Sequence, residues 1–393
     1  MDNFDFYSPT EFVFGRGREK ETGRYVKKYG GRRVLIHYGS GSAVKSGLLE
    51  TVKRSLEEEG LYYTELGGVK PNPRDTLVYE GTEICRREGI DFILAVGGGS
   101  CIDSSKAIAA GVFYEGDFWE LYLRKSEIKK ALPVGTVLTI AAAGSEGSSS
   151  SVITKESEGL KRSVNSALIR PVFSVLNPEL TFSLPPYQTA CGAADIMAHV
   201  LERYFTNTEE VEITDRLCEA VLITMVKEAP IAVREPENYG ARANIMWAGT
   251  VAHNNSLGVG RSQDWNSHAI EHELSGRYDV AHGAGLAVIM PAWMEFVMKR
   301  GVMRFAQLAV RVFGCEMNFE APEVTAKAGI DAFRKFLHGL GLPINLLELG
   351  ATEEDIPALV EKQGVGDGKT GGFVQLSSSD IEEIYKIALK AEV

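Results

Sequence analysis

The chain has 393 residues, 44% hydrophobic and 24% charged, which exceeds one simple core and sets an expectation of two domains. Its formal net charge of -11 excludes a broad basic surface for nucleic acid. Five scattered cysteines (Cys85, Cys101, Cys191, Cys218, Cys315) with no C-x-x-C pair exclude a disulfide framework or a zinc knuckle.

The N-terminus, Met1-Asp-Asn-Phe-Asp-Phe6, has neither the basic nor the apolar region of a signal peptide. The most apolar stretch, 283–298, is interrupted by Pro291 and Glu295 and is too short for a bilayer. A soluble, cytoplasmic protein without membrane or nucleic-acid partners is expected. Strand and helix then alternate. Arg33-Val-Leu-Ile-His-Tyr38 reads as a buried strand, 43–59 as a helix, 61–66 as a strand and Lys70-Pro-Asn-Pro73 as a turn. A helix at 75–88, a strand at 91–96, a helix at 102–110, and strands at 134–140 and 172–176 complete the pattern. Such alternation predicts a doubly wound, Rossmann-like parallel sheet, whose ligands bind beyond the carboxyl ends of the strands.

Two glycine-rich turns fall at such ends. In Gly97-Gly-Gly-Ser100 the glycines allow backbone N–H groups close to a phosphate, and the following helix start favours negative charge. The full G-x-G-x-x-G pattern is absent, since Ile102 holds its last position. A tight turn without a ligand explains one such run, whereas two in one sheet point to a nucleotide. The other turn, Gly39-Ser-Gly-Ser42, lacks the acidic side chain that usually meets the ribose 2′-OH of NAD, and its hydroxyls leave room for a 2′-phosphate. NADP(H) is therefore favoured over NAD(H). The serine-rich run Ala141–Ser151 reads as an ordered loop over a cofactor, with a mobile surface loop the alternative for 147–151.

After Leu184-Pro-Pro-Tyr187 the pattern turns helical, at 188–206, 209–228, 237–258, 266–276, 283–299, 302–313, 321–340 and 378–390. A division follows into a dinucleotide-binding α/β domain, 1–184, and an all-helical metal-binding domain, 185–393, with the active site in the cleft between them. Asp195 and His199, four apart, share one helix face. His268, His272 and His282 follow, so four of seven histidines gather around one candidate divalent metal. An exposed polar pair explains Asp195 and His199 equally well, but three further clustered histidines are harder to explain as core residues. His37 reads as core, and His253 and His338 as structural or surface.

Six motifs follow one another along the chain: Phe12-Val-Phe-Gly-Arg-Gly17, Lys70-Pro-Asn-Pro73, Gly97-Gly-Gly-Ser-Cys-Ile-Asp-Ser-Ser-Lys106, Gly192-Ala-Ala-Asp-Ile-Met-Ala-His199, Gln263-Asp-Trp-Asn-Ser-His268 with Glu271-His272, and His282-Gly-Ala-Gly285. In this order and spacing the chain resembles the iron-containing (group III) alcohol dehydrogenases, and within them the NADPH-dependent aldehyde reductase and butanol dehydrogenase branch. The resemblance implies Asp195, His199, His268 and His282 as metal ligands and His272 as a nearby active-site histidine. It implies cofactor contacts from Gly39, Ser40, Ser42, Asn72, Gly98, Gly99, Ser100, Asp103, Thr139, Ser145 and Lys161, the last near the 2′-phosphate. Branches of the family that use NAD carry an acid where this chain has Gly39. A homodimer is expected from the family alone.

The implied reaction is hydride transfer between NADP(H) and a primary alcohol or its aldehyde, butanol or butanal in type, with the metal as Lewis acid and His272 relaying a proton. Iron(II) is the expected ion, and one Asp with three His also suits zinc or manganese. The chain departs from the family at Cys101, usually a small or aliphatic position, at Ala141–Ser145, usually richer in threonine, and at the small residues 147–151. Alternatives are a glycerol or other polyol dehydrogenase, a dehydroquinate-synthase-like reaction on the same fold, or a metallohydrolase with purely structural glycine turns.

Overall fold

Apolar residues on alternate sides of successive strands build a sheet that is covered on both faces. The computed structural model describes residues 1–39 and 41–392. Its strands are β1 (Glu11–Phe14), β2 (Arg33–Gly39), β3 (Tyr62–Val69), β4 (Phe92–Gly97), β5 (Val134–Leu138), β6 (Ser150–Lys155), β7 (Leu160–Asn165) and β8 (Phe173–Leu176). Six of them form one sheet in the order β1-β8-β5-β4-β2-β3, each neighbouring pair parallel. Val34, Ile36, Phe92, Leu94 and Val96 pack into a core on one face, and Leu35 and Ile93 into a second core on the other. Strands β4, β5 and β8 are buried along their whole length, as central parallel strands are when helices cover both faces. Edge strand β3 exposes Tyr62, Glu65 and Gly68.

The sheet is accompanied by α1 (Thr22–Lys28), α2 (Ser42–Lys45), α3 (Leu48–Glu58), α4 (Asp75–Glu88), α5 (Gly99–Gly111) and α6 (Trp119–Tyr122). The helical part comprises α7 (Pro186–Tyr204), α8 (Glu212–Arg234), α9 (Tyr239–His253), α10 (Asn266–Tyr278), α11 (His282–Val297), α12 (Val302–Phe313), α13 (Pro322–Gly339), α14 (Ile356–Lys362) and α15 (Ser378–Leu389). No helix among the described residues is long and apolar enough to cross a membrane.

Two compact units result. One is Tyr7–Leu184 with Gly249–Asn254, and the other is Met1–Phe6, Pro185–Ala248 and the chain from Asn255 onward. Residues 1–6 and 249–254 thus group across the division expected from sequence. The Asp2 N–H donates to Gly260 O and the Met1 ammonium to Glu209 O, which ties the N-terminus to the helical unit. The Thr250 hydroxyl donates to Glu146 at 2.6 Å, within the sheet unit.

Local differences have local causes. The helix expected over 43–59 is split in two, because Gly47 sits between α2 and α3 at φ +75°, where a helix cannot continue. From sequence α8 stops at 228, but the structure carries it through Pro230 to Arg234. Strand β1 and the β6–β7 hairpin were not expected at all. In the serine-rich run, Ser145–Gly147 form a 3-10 turn and only Ser150 and Ser151 begin β6.

Candidate metal centre and cofactor turns

Strand order places the two glycine turns. From β2 the chain crosses to β3 on one side, then back past β2 to β4 on the other. Neighbours β2 and β4 therefore flank the point where the winding reverses, the usual ligand position in such sheets. Gly39 ends β2 and Gly97 ends β4. Gly98 caps α5 in an extended conformation, and the first-turn N–H groups of α5 start there without carbonyls of their own turn. The glycines are also required by packing. A methyl group on Gly97 would lie 2.4 Å from Cys101 Sγ, and one on Gly98 would lie 2.1 Å from Ile140 Cγ2.

The remaining cofactor candidates gather at the same carboxyl edge. Thr139 follows β5 and its N–H donates to Gly97 O at 3.1 Å. Asn72 follows β3 in the left-handed region, at φ +52°, and its Oδ1 accepts from the buried Lys161 ammonium at 3.0 Å. Lys161 also lies close enough to Asp103 to oppose the rise of its carboxyl. Ser42 opens α2, and Ser100 lies in the first turn of α5. Ser40 lies outside the described residues.

Asp103 and Ser145 belong to a buried clamp. Ser145 Oγ donates to Asp103 Oδ1 at 2.5 Å, and the Val152 N–H donates to Asp103 Oδ2 at 3.1 Å. Lys106, also on α5, donates to the carbonyls of Ser145, Ser148 and Ser150 at 2.7–3.0 Å. Burial pulls the Lys106 ammonium down to about 8, while Asp103 and Glu146 hold its charge. Burial pushes the Asp103 carboxyl up, against Lys106 and its hydrogen bonds. The serine-rich loop is ordered because one buried cation satisfies three of its carbonyls.

The metal candidates sit on three helices. Asp195 and His199 project from α7, His268 from the first turn of α10, and His282 from the first residue of α11. Asp279, left-handed at φ +52°, ends α10 and begins the short turn back to His282. Gly283 lets α11 approach α7 closely, since a methyl there would lie 1.9 Å from Cys191 O. Asp195 Oδ1 is the meeting point. It lies 3.4 Å from His199 Nδ1, 3.9 Å from His268 Nε2 and 3.9 Å from His282 Nε2.

The donor atoms of Asp195, His268 and His282 form one mutually close group, with the His199 ring 4.6 Å from that of His268. His272 is half-buried one turn along α10, its ring 5.5 Å from that of His282. Glu271, His272 and His282 form a second close group, but both Glu271 oxygens are engaged, one with His282 Nδ1 and one with the Ser275 hydroxyl. The first group fits a divalent ion. Asp195 Oδ1 and His268 Nε2 are buried with no hydrogen-bond partner, a state that costs about 1–3 kcal/mol per group unless a cation satisfies it. Their spacing resembles the edge of roughly 3.4 Å that metal–ligand bonds of about 2.1 Å would span in a tetrahedron. Burial disfavours the His268 imidazolium, yet Asp195 and Glu202 outweigh it and hold it up to about 9.

The roles of three neighbours escaped the sequence, although Trp265 and Glu271 stand within its motifs. Glu202 Oε1 accepts from His268 Nδ1 at 2.9 Å, Glu271 accepts from His282 Nδ1, and the Trp265 ring stands 5.3 Å from His268. A signal for Glu202 was present, because positions 195, 199 and 202 share one face of α7.

Models of known families match both halves of the chain: "Iron-containing alcohol dehydrogenase" over residues 9–178 and "Fe-containing alcohol dehydrogenase family, C-terminal" over 189–389. The chain belongs to the iron-containing alcohol dehydrogenase family. It is an oxidoreductase that interconverts alcohols and aldehydes, and the family implies both a metal and a nicotinamide cofactor. It is 41% identical to NADH-dependent butanol dehydrogenase A of Clostridium acetobutylicum, over 98% of this chain and 99% of that one. It is 39% identical to NADPH-dependent aldehyde reductase YqhD of Escherichia coli, over 92% of this chain and 93% of that one. The crystal structure of NADH-dependent butanol dehydrogenase A from Thermotoga maritima superposes with a TM-score of 0.96, at 40% identity and 99% coverage of both chains.

Proposed function

We propose that this iron-containing alcohol dehydrogenase reduces short-chain aldehydes such as butanal, and oxidises the matching primary alcohols, with NADP(H). The observation that carries the reading is the convergence of three imidazoles on Asp195 Oδ1 in a chain of this family. A divalent ion, iron(II) in this proposal, supplies Lewis acidity toward the substrate oxygen, and the nicotinamide supplies or accepts the hydride. Asp195, His199, His268 and His282 are the proposed holders of the ion. Asp195 provides the one formal negative charge among them, which leaves the ion electrophilic. His272, half-buried beside His282, exchanges the proton at the substrate oxygen, a role within the ordinary range of general acid–base catalysis. Gly39, Ser42, Asn72, Gly98, Gly99, Ser100, Thr139, Ser145 and Lys161 are the proposed cofactor residues, with Ser40 between Gly39 and Gly41. Asp103 acts there by holding Ser145.

The choice of NADP(H) rests on the Gly39–Ser42 turn, which offers no carboxylate to a 2′-phosphate. NAD(H) is the second reading, favoured by relatives at 41–42% identity whose names state NADH dependence. A homodimer belongs to the same proposal and is read out by light scattering. The function is tested by initial rates of NADPH and NADH oxidation with butanal, after chelation and reloading with Fe²⁺ or Zn²⁺. Metal-dependent oxidation, faster with NADPH, is the expected result. Failure to oxidise either cofactor across several aldehydes would overturn the substrate reading.

A further inference from the structure

Behind the candidate metal donors lie two carboxylates that neither face the ion nor reach solvent. Glu202 and Glu271 are both fully buried. Glu202 Oε1 accepts three hydrogen bonds, from His268 Nδ1 at 2.9 Å, the His268 backbone N–H at 3.1 Å and Ser267 Oγ at 2.5 Å. Glu271 accepts from His282 Nδ1 through one oxygen and from Ser275 Oγ through the other. An ionised carboxylate only accepts, so each ring holds a proton on Nδ1, and Nε2 is the nitrogen left to coordinate a cation, with loss of any proton it carries. Both Nε2 atoms lie 3.9 Å from Asp195 Oδ1.

We infer that Glu202 and Glu271 are positioning residues that hold His268 and His282 in the metal-binding tautomer, and that Gly285 is required to seat Glu271. The inference rests on the proposed metal centre. A carboxylate behind an imidazole fixes the ring and makes its free nitrogen a better donor. Glu202 does this from α7, the helix that carries Asp195 and His199, so one helix sets both its own donors and a donor on α10. Glu271 does it from α10 for the ligand on α11. Gly285 supplies the space, because a methyl group there would lie 2.5 Å from Glu271 Oε1 and 2.7 Å from its Cγ. The two glycines of His282-Gly-Ala-Gly285 thereby have separate tasks: Gly283 admits α7, and Gly285 admits the carboxylate that orients His282.

The test is Zn²⁺ affinity of the metal-free full chain, by competition with a chromophoric chelator at fixed pH, with melting of each metal-free variant measured alongside. Glu202→Ala and Glu271→Ala are expected to weaken Zn²⁺ binding about 10- to 100-fold. Glu202→Gln and Glu271→Gln, which keep shape and an acceptor, are expected to weaken it less. Gly285→Ala keeps every charge yet displaces Glu271, and is expected to reproduce the loss seen with Glu271→Ala. The Gln variants and Gly285→Ala keep the comparison intact if the Ala variants fail to fold. Unchanged Zn²⁺ affinity in both Gln variants and in Gly285→Ala would overturn the inference, leaving the carboxylates as packing groups. No Zn²⁺ uptake by the unsubstituted chain would overturn the metal centre itself, and uptake without aldehyde reduction would overturn only the proposed substrate.

Discussion

Lys106 grips Ser145 twice, donating to its carbonyl at 2.7 Å and to its hydroxyl at 2.8 Å. The ammonium is completely buried and faces the charges of Asp103 and Glu146. Replacing it with Met strands two carboxylates and three carbonyls in the interior. Lys106→Met is expected to cost about 3–5 kcal/mol, the usual penalty for breaking a buried pair from one side. Urea unfolding measures this, and a loss below 1 kcal/mol would show that water replaces the amine.

His37 sets a pH dependence of stability. Its Nδ1–H donates to Leu66 O and its Nε2 accepts from the Ser104 hydroxyl, both at 2.8 Å, so the buried ring is neutral. Burial lowers its imidazolium to about 4 from the usual 6.5, with the Leu66 bond opposing. Between those values the unfolded chain binds a proton that the folded chain refuses. Stability from this group is therefore complete above 6.5 and falls as pH drops toward 4. The loss by pH 5 is about 2 kcal/mol. His37→Gln, which can make both hydrogen bonds, is expected to lack this component. Unfolding free energies of the two proteins at pH 7.5 and 5 provide the check.

Removing a donor separates metal from cofactor. His268→Ala is expected to abolish stoichiometric metal and turnover while NADPH still binds, because the proposed cofactor turns belong to the other unit. Metal content and nicotinamide fluorescence read the two effects independently. Full metal content with full activity would rule out His268 as a ligand.

Gly283→Ala tests the helix contact itself. The added methyl meets Cys191 O at 1.9 Å, a backbone atom that cannot swing aside. Forcing α7 and α11 apart is expected to cost about 1–3 kcal/mol and to weaken metal binding, because Asp195 and His282 ride on those helices. Thermal melting and chelator competition report the two consequences.

Cofactor choice is tested by Gly39→Asp. A Cβ there would meet Cys101 Sγ and Val69 O at an ordinary 3.7 Å, so the position has room for a side chain to begin. The kcat/KM for NADPH is expected to fall at least about 10-fold while that for NADH holds or rises, since a carboxylate accepts from a 2′-OH and repels a 2′-phosphate. An unchanged NADPH to NADH ratio would remove Gly39 from cofactor selection.

Much of the architecture was legible from residue periodicity. The helix at Asp75–Glu88 and the helix at Val302–Phe313 have the limits expected from the sequence, because turn residues bound each of them. Both glycine turns were legible as strand ends, since Gly97 follows the apolar run Phe92–Val96 and Gly39 a run broken only by His37. What escaped needed information from far along the chain. β1 has only four residues and is defined by pairing with β8. The β6–β7 hairpin begins in a serine run, where composition suggests a loop, and Lys106 orders it from 44 positions away in sequence. In the candidate centre, Asp195 and His199 announce themselves at helical spacing. Glu202 resembles a solvated helix residue until α10 brings His268 to it, 66 positions later.

The pairing of β1 with β8 bears on how the chain is made. β1 leaves the ribosome long before its sheet partner, Phe173–Leu176. At roughly 5–20 residues per second, that partner follows about 10–30 s later. During this interval β2, β3 and β4 can assemble with their helices, while residues 11–14 wait unpaired. Completion of the sheet is consequently a long-range closure that comes late, and slow folding is the expected signature of such topology. Until β8 arrives, β5 is also left as an uncovered border, the place where a nascent chain of this design is most exposed to chaperones or to its own neighbours on a polysome.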